Sequence, residues 1–127
     1  MKIILVDAIN TFIIKGQGID REIFDLLETF PNKKVILTNA TKERMTETDF
    51  QNLPYEVFTL ENNPSKTDPE YYKKLLTHFD LNTSEVVYFE HNPEAIKSAE
   101  SMGIKTHHFD PEKRDIEELK NFIKSNL

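Results

Sequence analysis

Cysteine is absent from the chain, which excludes disulfide bridges and thiolate metal sites. Long apolar runs are missing as well: none approaches the roughly 20 residues of a membrane span. The stretch Met1–Val6 ahead of Asp7 is too short to be a signal peptide, so a cytoplasmic location and no membrane partner are expected. Nor is there a basic excess. Sixteen Lys and Arg stand against 22 Asp and Glu, for a net charge of −6, and a nucleic-acid partner is not expected of so acidic a chain. The acids are scattered, with no acidic tail, and serve solubility. What remains is an ordinary soluble composition. The 127 residues are 38% apolar, with 9 Phe and 4 Tyr, enough for a core without staples. No linker, repeat or low-complexity segment divides them, and one domain over residues 1–127 is expected.

Apolar runs alternate with amphipathic stretches throughout. Strands are predicted at Lys2–Asp7, Lys34–Thr38, Glu56–Thr59, Glu85–Phe89 and Ile104–His107, each short and apolar at consecutive positions, as parallel strands buried on both faces should be. Helical stripes lie between them: Ile23, Phe24, Leu26, Leu27 and Phe30; Tyr71, Tyr72, Leu75, Leu76 and Phe79; Ala95, Ile96, Ala99 and Met102; Ile116, Leu119, Phe122 and Ile123. Lys42–Phe50 is a weaker helix with few apolar anchors. Asp68-Pro69-Glu70 and Asn92-Pro93-Glu94 each put a capping side chain before proline at the first helical position. Asp110-Pro111-Glu112 reads as a third such start or as a turn, with Asp115-x-x-Glu118 then the cap. Gly103 reads as a helix stop. Five βα units in this order imply an α/β three-layer Rossmannoid sandwich: a five-stranded parallel sheet with helices on both faces.

Three polar residues fall where such a sheet presents ligands, at the carboxyl ends of its strands. Asp7 ends the first strand, Thr38 ends the second, and Lys66 precedes a helix in Ser65-Lys66-Thr67-Asp68-Pro69. Singly each has a dull explanation, as a strand-end cap or a surface lysine. Together they suit a phosphoryl group, with Asp attacking phosphorus, Thr and backbone amides holding its oxygens, and Lys neutralising charge. His91 follows the fourth strand and reads as a ligand for a softer divalent metal, a residual general base, or a plain loop residue. His107 and His108, adjacent on a strand, point to opposite faces and cannot easily share one ion. His78 lies on a helix, and Tyr71-Tyr72 reads as core and helix surface.

The order of these residues resembles the haloacid dehalogenase (HAD-like) superfamily of aspartate-nucleophile hydrolases. Its first motif, Asp-x-Asp-Gly-Thr, is matched by Asp7-Ala8-Ile9-Asn10-Thr11 at Asp7 and Thr11. Its second is matched by Thr38, and its third by Lys66-Thr67-Asp68-Pro69. The fourth, an acidic cluster leading into a helix, is similar to Glu90-His91-Asn92-Pro93-Glu94-Ala95. The resemblance implies a phosphate-ester hydrolase with Asp7 as nucleophile and Thr38 and Lys66 beside it. It implies contacts to substrate from Asn10, Thr11 and Asn39, and a Mg²⁺ or other divalent ion held by Asp7, the Ile9 carbonyl, Glu90 and His91. It also implies a capless architecture, since Ala8–Ile19 has room only for a short flap and Leu60–Thr67 is a modest loop.

The departures are as specific as the matches. Ile9 stands where the family carries its general acid/base, and His91 and Ala95 stand where it carries metal-binding acids. Two functions follow. One is a slow or specialised hydrolase of a phosphorylated small molecule or macromolecule. The other is a catalytically inactive module that binds a phosphorylated ligand or a protein partner, with or without a metal. Ile13 and Ile14, apolar in the flap, point to a macromolecular substrate or a second copy covering the crevice, or to packing on the domain. A response-regulator receiver is disfavoured. Receivers carry their phosphoacceptor Asp after the third strand, where Val57-Phe58-Thr59 is followed by none.

Overall fold

The computed structural model describes residues 1–127. Five strands form one all-parallel sheet: β1 (Ile3–Asp7), β4 (Lys34–Thr38), β5 (Glu56–Thr59), β6 (Val86–Glu90) and β7 (Lys105–His108), in the spatial order β5-β4-β1-β6-β7. Between β1 and the first helix lies a hairpin of two short strands, β2 (Ile13–Ile14) and β3 (Gly18–Ile19). The four helices are α1 (Arg21–Glu28), α2 (Pro69–Phe79), α3 (Pro93–Ser101) and α4 (Ile116–Asn126).

The sheet is apolar on both sides because alternate residues of each strand point to opposite faces. Ile4, Val6, Ile36, Val87 and Phe89 join Ile23 and Leu27 of α1, and Leu119 and Ile123 of α4, in one core. Leu5, Val35, Leu37, Val86 and Tyr88 join Tyr71, Tyr72 and Leu75 of α2, and Ala99 of α3, in the other. The chain runs from β1 outward to β4 and β5, then returns past β1 to β6 and β7. That reversal puts the crevice of the sheet at the carboxyl ends of its central strands. Tyr72 is buried as fully as Tyr71, so neither is helix surface.

Helix starts follow the chemistry of their caps. Asp68 accepts from the Glu70 N–H (2.9 Å) and Asn92 from the Glu94 N–H (2.9 Å), each just ahead of a first-turn proline. Of the two readings for the last helix, the turn holds. Asp110 folds over the Glu112 and Lys113 amides, and Asp115 caps α4 through the Glu118 N–H at 3.0 Å. Gly103, at φ +86°, ends the α3 segment in a conformation that favours glycine.

The helix expected over 42–50 does not form. Two short 3₁₀ turns, Arg44–Thr46 and Thr48–Phe50, make the crossing from β4 to β5. Phe50 is their one buried residue, with Met45 only partly buried against the same core, and a stretch with so few anchors gains too little from packing to sustain a helix. Ile13 is also not a flap surface residue: it is fully buried against the α1 side of the sheet, and Ile14 is half-buried. The hairpin is thus packed onto the domain.

Asp20 ties this insertion down. One oxygen caps α1 through the Glu22 and Ile23 amides (2.9 and 3.2 Å), while the other accepts from Arg114 Nε and Nη2 (2.9 and 2.7 Å). Arg114 also donates to the carbonyls of Asn10 (3.1 Å) and Thr11 (2.5 Å). Asp20→Ala is expected to lower stability by about 1–2 kcal/mol, the upper range for a lost helix cap, read as a drop in the urea midpoint. A midpoint within error of wild type would show that neither cap nor ion pair anchors the hairpin.

Candidate functional site

Parity along the strands decides which side chains meet. Asp7 lies two residues beyond Leu5, and Glu90 two beyond Tyr88, so both carboxylates share the face covered by α2 and α3. β1 and β6 are neighbours, with Val6 paired to Phe89, and the two acids therefore end adjacent strands side by side. Lys66 enters from the segment that leads into α2. Its Nζ lies 2.5 Å from Asp7 Oδ1 and 2.8 Å from Glu90 Oε1, and donates to the Leu37 carbonyl at 3.3 Å. All three residues are buried.

The other edge of the carboxylate pair faces His91. Its Nδ1 lies 2.5 Å from Asp7 Oδ2 and 3.1 Å from Glu90 Oε2. The His91 backbone N–H points the same way, 2.9 Å from Glu90 Oε2 and 3.4 Å from Asp7 Oδ2. Thr11 donates its hydroxyl to Asp7 Oδ2 at 2.7 Å. Glu90 further accepts from the Tyr88 hydroxyl (2.5 Å) and the Asn92 amide (3.0 Å).

These contacts set the protonation of the site. Burial favours the neutral acid at Glu90, but the Lys66 charge and the hydrogen bonds from His91 and Lys66 outweigh it and hold that carboxyl well below its usual range. Asp7 is pushed up by burial, which the Lys66 charge only partly offsets, with Glu90 adding to the rise. Lys66 would be lowered by burial, yet the Asp7 and Glu90 charges keep it protonated well above its ordinary value. His91 is raised to about 9, first by its hydrogen bond to Asp7 and then by that to Glu90, so its ring is an imidazolium at neutral pH.

The residues singled out in the sequence divide in two. Asp7, Ile9, Thr38, Asn39, Lys66, Glu90 and His91 line one crevice of about 430 Å³. Thr38 Oγ1 accepts from the Ala40 N–H at 3.1 Å. Asn39 braces the lysine segment, accepting from the Lys66 N–H (2.8 Å) and donating to Ser65 Oγ (3.1 Å). Asn10 and Thr11 do not line the crevice. Asn10 is exposed at φ +71°, and Thr11 is buried with its hydroxyl committed to Asp7. His107 faces Glu118 (3.5 Å), whereas His108 Nε2 meets the His91 carbonyl (3.1 Å), in keeping with their opposite faces.

Sequence reasoning missed Tyr88, whose parity with Glu90 on β6 was the available signal. It also missed Thr41, Arg44 and Asn62, which line the crevice from irregular segments and carry no periodic signature. Asn92, a helix cap within the fourth motif, is a wall of the crevice too. Asp7, Glu90 and His91 each offer a ligand atom, all within 4.8 Å of one another, a group that could hold a metal ion.

No family model matches the chain, and no curated protein does. Solved structures do. A haloacid dehalogenase-like protein of unknown function from Agrobacterium tumefaciens superposes with a TM-score of 0.62 at 14% identity, over 85% of this chain and 61% of its own. A HAD-superfamily hydrolase from Ehrlichia chaffeensis gives 0.58 at 14% identity, over 98% of both chains. A HAD family enzyme from Bacteroides thetaiotaomicron, an aspartate-to-alanine mutant in complex with magnesium and inorganic phosphate, gives 0.55 at 17% identity over 78% of this chain and 56% of that one. The chain thus spans about three fifths of two of these proteins and nearly all of the third. The likeness at these identities is one of fold: the chain has the HAD-like Rossmannoid core.

Proposed function

We propose that this protein hydrolyses a phosphate ester, with Asp7 as the nucleophile. One observation carries the reading. Asp7, Thr38, Asn39 and Lys66 converge from β1, β4 and the segment before α2 on a single polar crevice at the carboxyl edge of the sheet. The fold shared with hydrolases supports it.

In this mechanism an Asp7 oxygen forms the bond to phosphorus as the ester P–O bond breaks, giving an aspartyl phosphate that water then hydrolyses. Lys66 offsets the charge on the phosphoryl oxygens, and Thr38 and Asn39 hold them in line. The leaving oxygen takes its proton from water, because Ile9 has none to give. Turnover is therefore slow. Arg44, on the wall of the same crevice, offers a further cation for the remainder of an anionic substrate.

The fold family implies magnesium, which takes oxygen ligands in near-octahedral geometry. The residues here do not fit it. One of the three available ligand atoms is an imidazole nitrogen, and Ala95 contributes no carboxylate to the crevice it lines.

A second reading, binding of a phosphorylated ligand without turnover, is favoured by one feature: both Asp7 oxygens already have partners. Hydrolysis of an aryl phosphate separates the two. Release of phenol by the purified protein, assayed with magnesium, manganese, cobalt and a chelator in turn, is the expected result. Complete absence of release under every condition overturns the hydrolase reading.

A further inference from the structure

We infer that His91 takes the place of a divalent cation at this site, bridging Asp7 Oδ2 and Glu90 Oε2 through Nδ1 as Lys66 Nζ bridges Asp7 Oδ1 and Glu90 Oε1. The proposal rests on Asp7 as the site's reactive carboxylate and goes further, in assigning what holds that carboxylate in place.

The geometry separates a hydrogen-bonded group from a ligand set. Two atoms bound to one ion at about 2.1 Å, with about 90° between them, stand about 3 Å apart. Nδ1 is 2.5 Å from Asp7 Oδ2, a direct nitrogen-to-oxygen contact. The opposite edge is closed in the same manner, with Lys66 Nζ 2.5 Å from Oδ1. A hydrogen on Nδ1, present in the imidazolium and in the Nδ1–H neutral tautomer, is what the contact to Asp7 requires. The backbone N–H of His91 lies on the same two oxygens, which fixes the ring over them from its own main chain.

The two buried carboxylates are thus clasped by nitrogen on both edges, and each of their four oxygens has a partner. A divalent ion could enter only by breaking the His91 contact. His91 is a positioning residue: it orients Asp7 and shields it from Glu90, the work a cation would otherwise do. An aspartate at this position would supply an oxygen ligand and remove the competing nitrogen.

Calorimetric titration with magnesium, manganese and zinc tests this without reference to turnover. Wild type is expected to show no stoichiometric binding of any of the three, and the same affinity for inorganic phosphate in chelator as in magnesium. His91→Asp should bind one magnesium and hold phosphate about tenfold or more tighter in its presence, the scale on which metal-site neighbours act. His91→Asn, whose amide donates near the Nδ1 position, should remain indifferent to metal. Stoichiometric metal binding by wild type overturns the inference. So does a His91→Asp protein that melts cooperatively yet still takes up no magnesium. Failure of wild type to release phenol from an aryl phosphate, with the metal titrations as expected, would overturn the hydrolase reading and leave this one standing.

Discussion

Asp7→Asn is expected to reduce aryl phosphate hydrolysis to background, by on the order of 10⁴-fold or more, as loss of a nucleophile does elsewhere. The amide has the shape of the carboxylate but no anionic oxygen to attack phosphorus. The fold should survive the change. Lys66 keeps its ion pair with Glu90 at 2.8 Å, so no buried charge is left alone. Asp7 is itself pushed toward its neutral form by burial, and a neutral replacement lessens that penalty. The Thr11 hydroxyl still finds an acceptor in the Asn carbonyl. A thermal melt close to wild type, together with lost turnover, is the outcome that assigns the chemistry to Asp7. Turnover equal to wild type would remove Asp7 as nucleophile and return attention to Glu90, the other carboxylate of the crevice.

Ile9→Asp is expected to act in the opposite direction, raising turnover by about 10²–10⁴-fold, the usual worth of a placed general acid/base. Ile9 is only partly buried and lines the crevice two residues beyond Asp7. A carboxyl there would face the leaving oxygen and could protonate it, then take a proton from the attacking water. The change carries a cost, since Ile9 also packs against the core on the α1 side. A loss of roughly 1–2 kcal/mol is expected, within the ordinary range for a point substitution. Steady-state rates across pH check the gain, because a carboxyl that must be protonated to serve the leaving oxygen adds a fall in rate as pH rises through its pKa. A rate unchanged from wild type would place the deficit at the His91 edge and not at position 9. The double variant Ile9→Asp, His91→Asp would then be the informative one.

The parallel sheet was legible because its strands are apolar on consecutive residues. Val35-Ile36-Leu37 or Val86-Val87-Tyr88 can be read only as strands covered on both sides. Asp68, Asn92 and Asp115 marked their helices for an equally local reason: a short acceptor side chain reaches the amides of the first turn wherever it stands. Residues 42–50 were misread because their helical content depends on how much apolar surface the segment can bury, and only Phe50, with part of Met45, sets that. Ile13 leaves two readings open in sequence, a contact surface or packing on the domain, for a related reason. Hairpin residues look exposed in sequence until the face they cover is known.

The amino-acid order alone places an aspartate, a threonine and a lysine at strand and helix boundaries of a parallel α/β domain, because boundary and capping signals are local. It also determined that no acid follows Asp7 at position 9. Which of these residues touch is settled by the three-dimensional fold. Lys66 is 59 positions from Asp7 and His91 is 84, and contacts over such separations follow from strand order and side-chain parity, which no local pattern records. Lys66, from the segment before α2, and His91, just past β6, bring their nitrogens to opposite edges of one carboxylate pair. A residue that read in sequence as a metal ligand, a base or a loop position thereby became the group that holds Asp7.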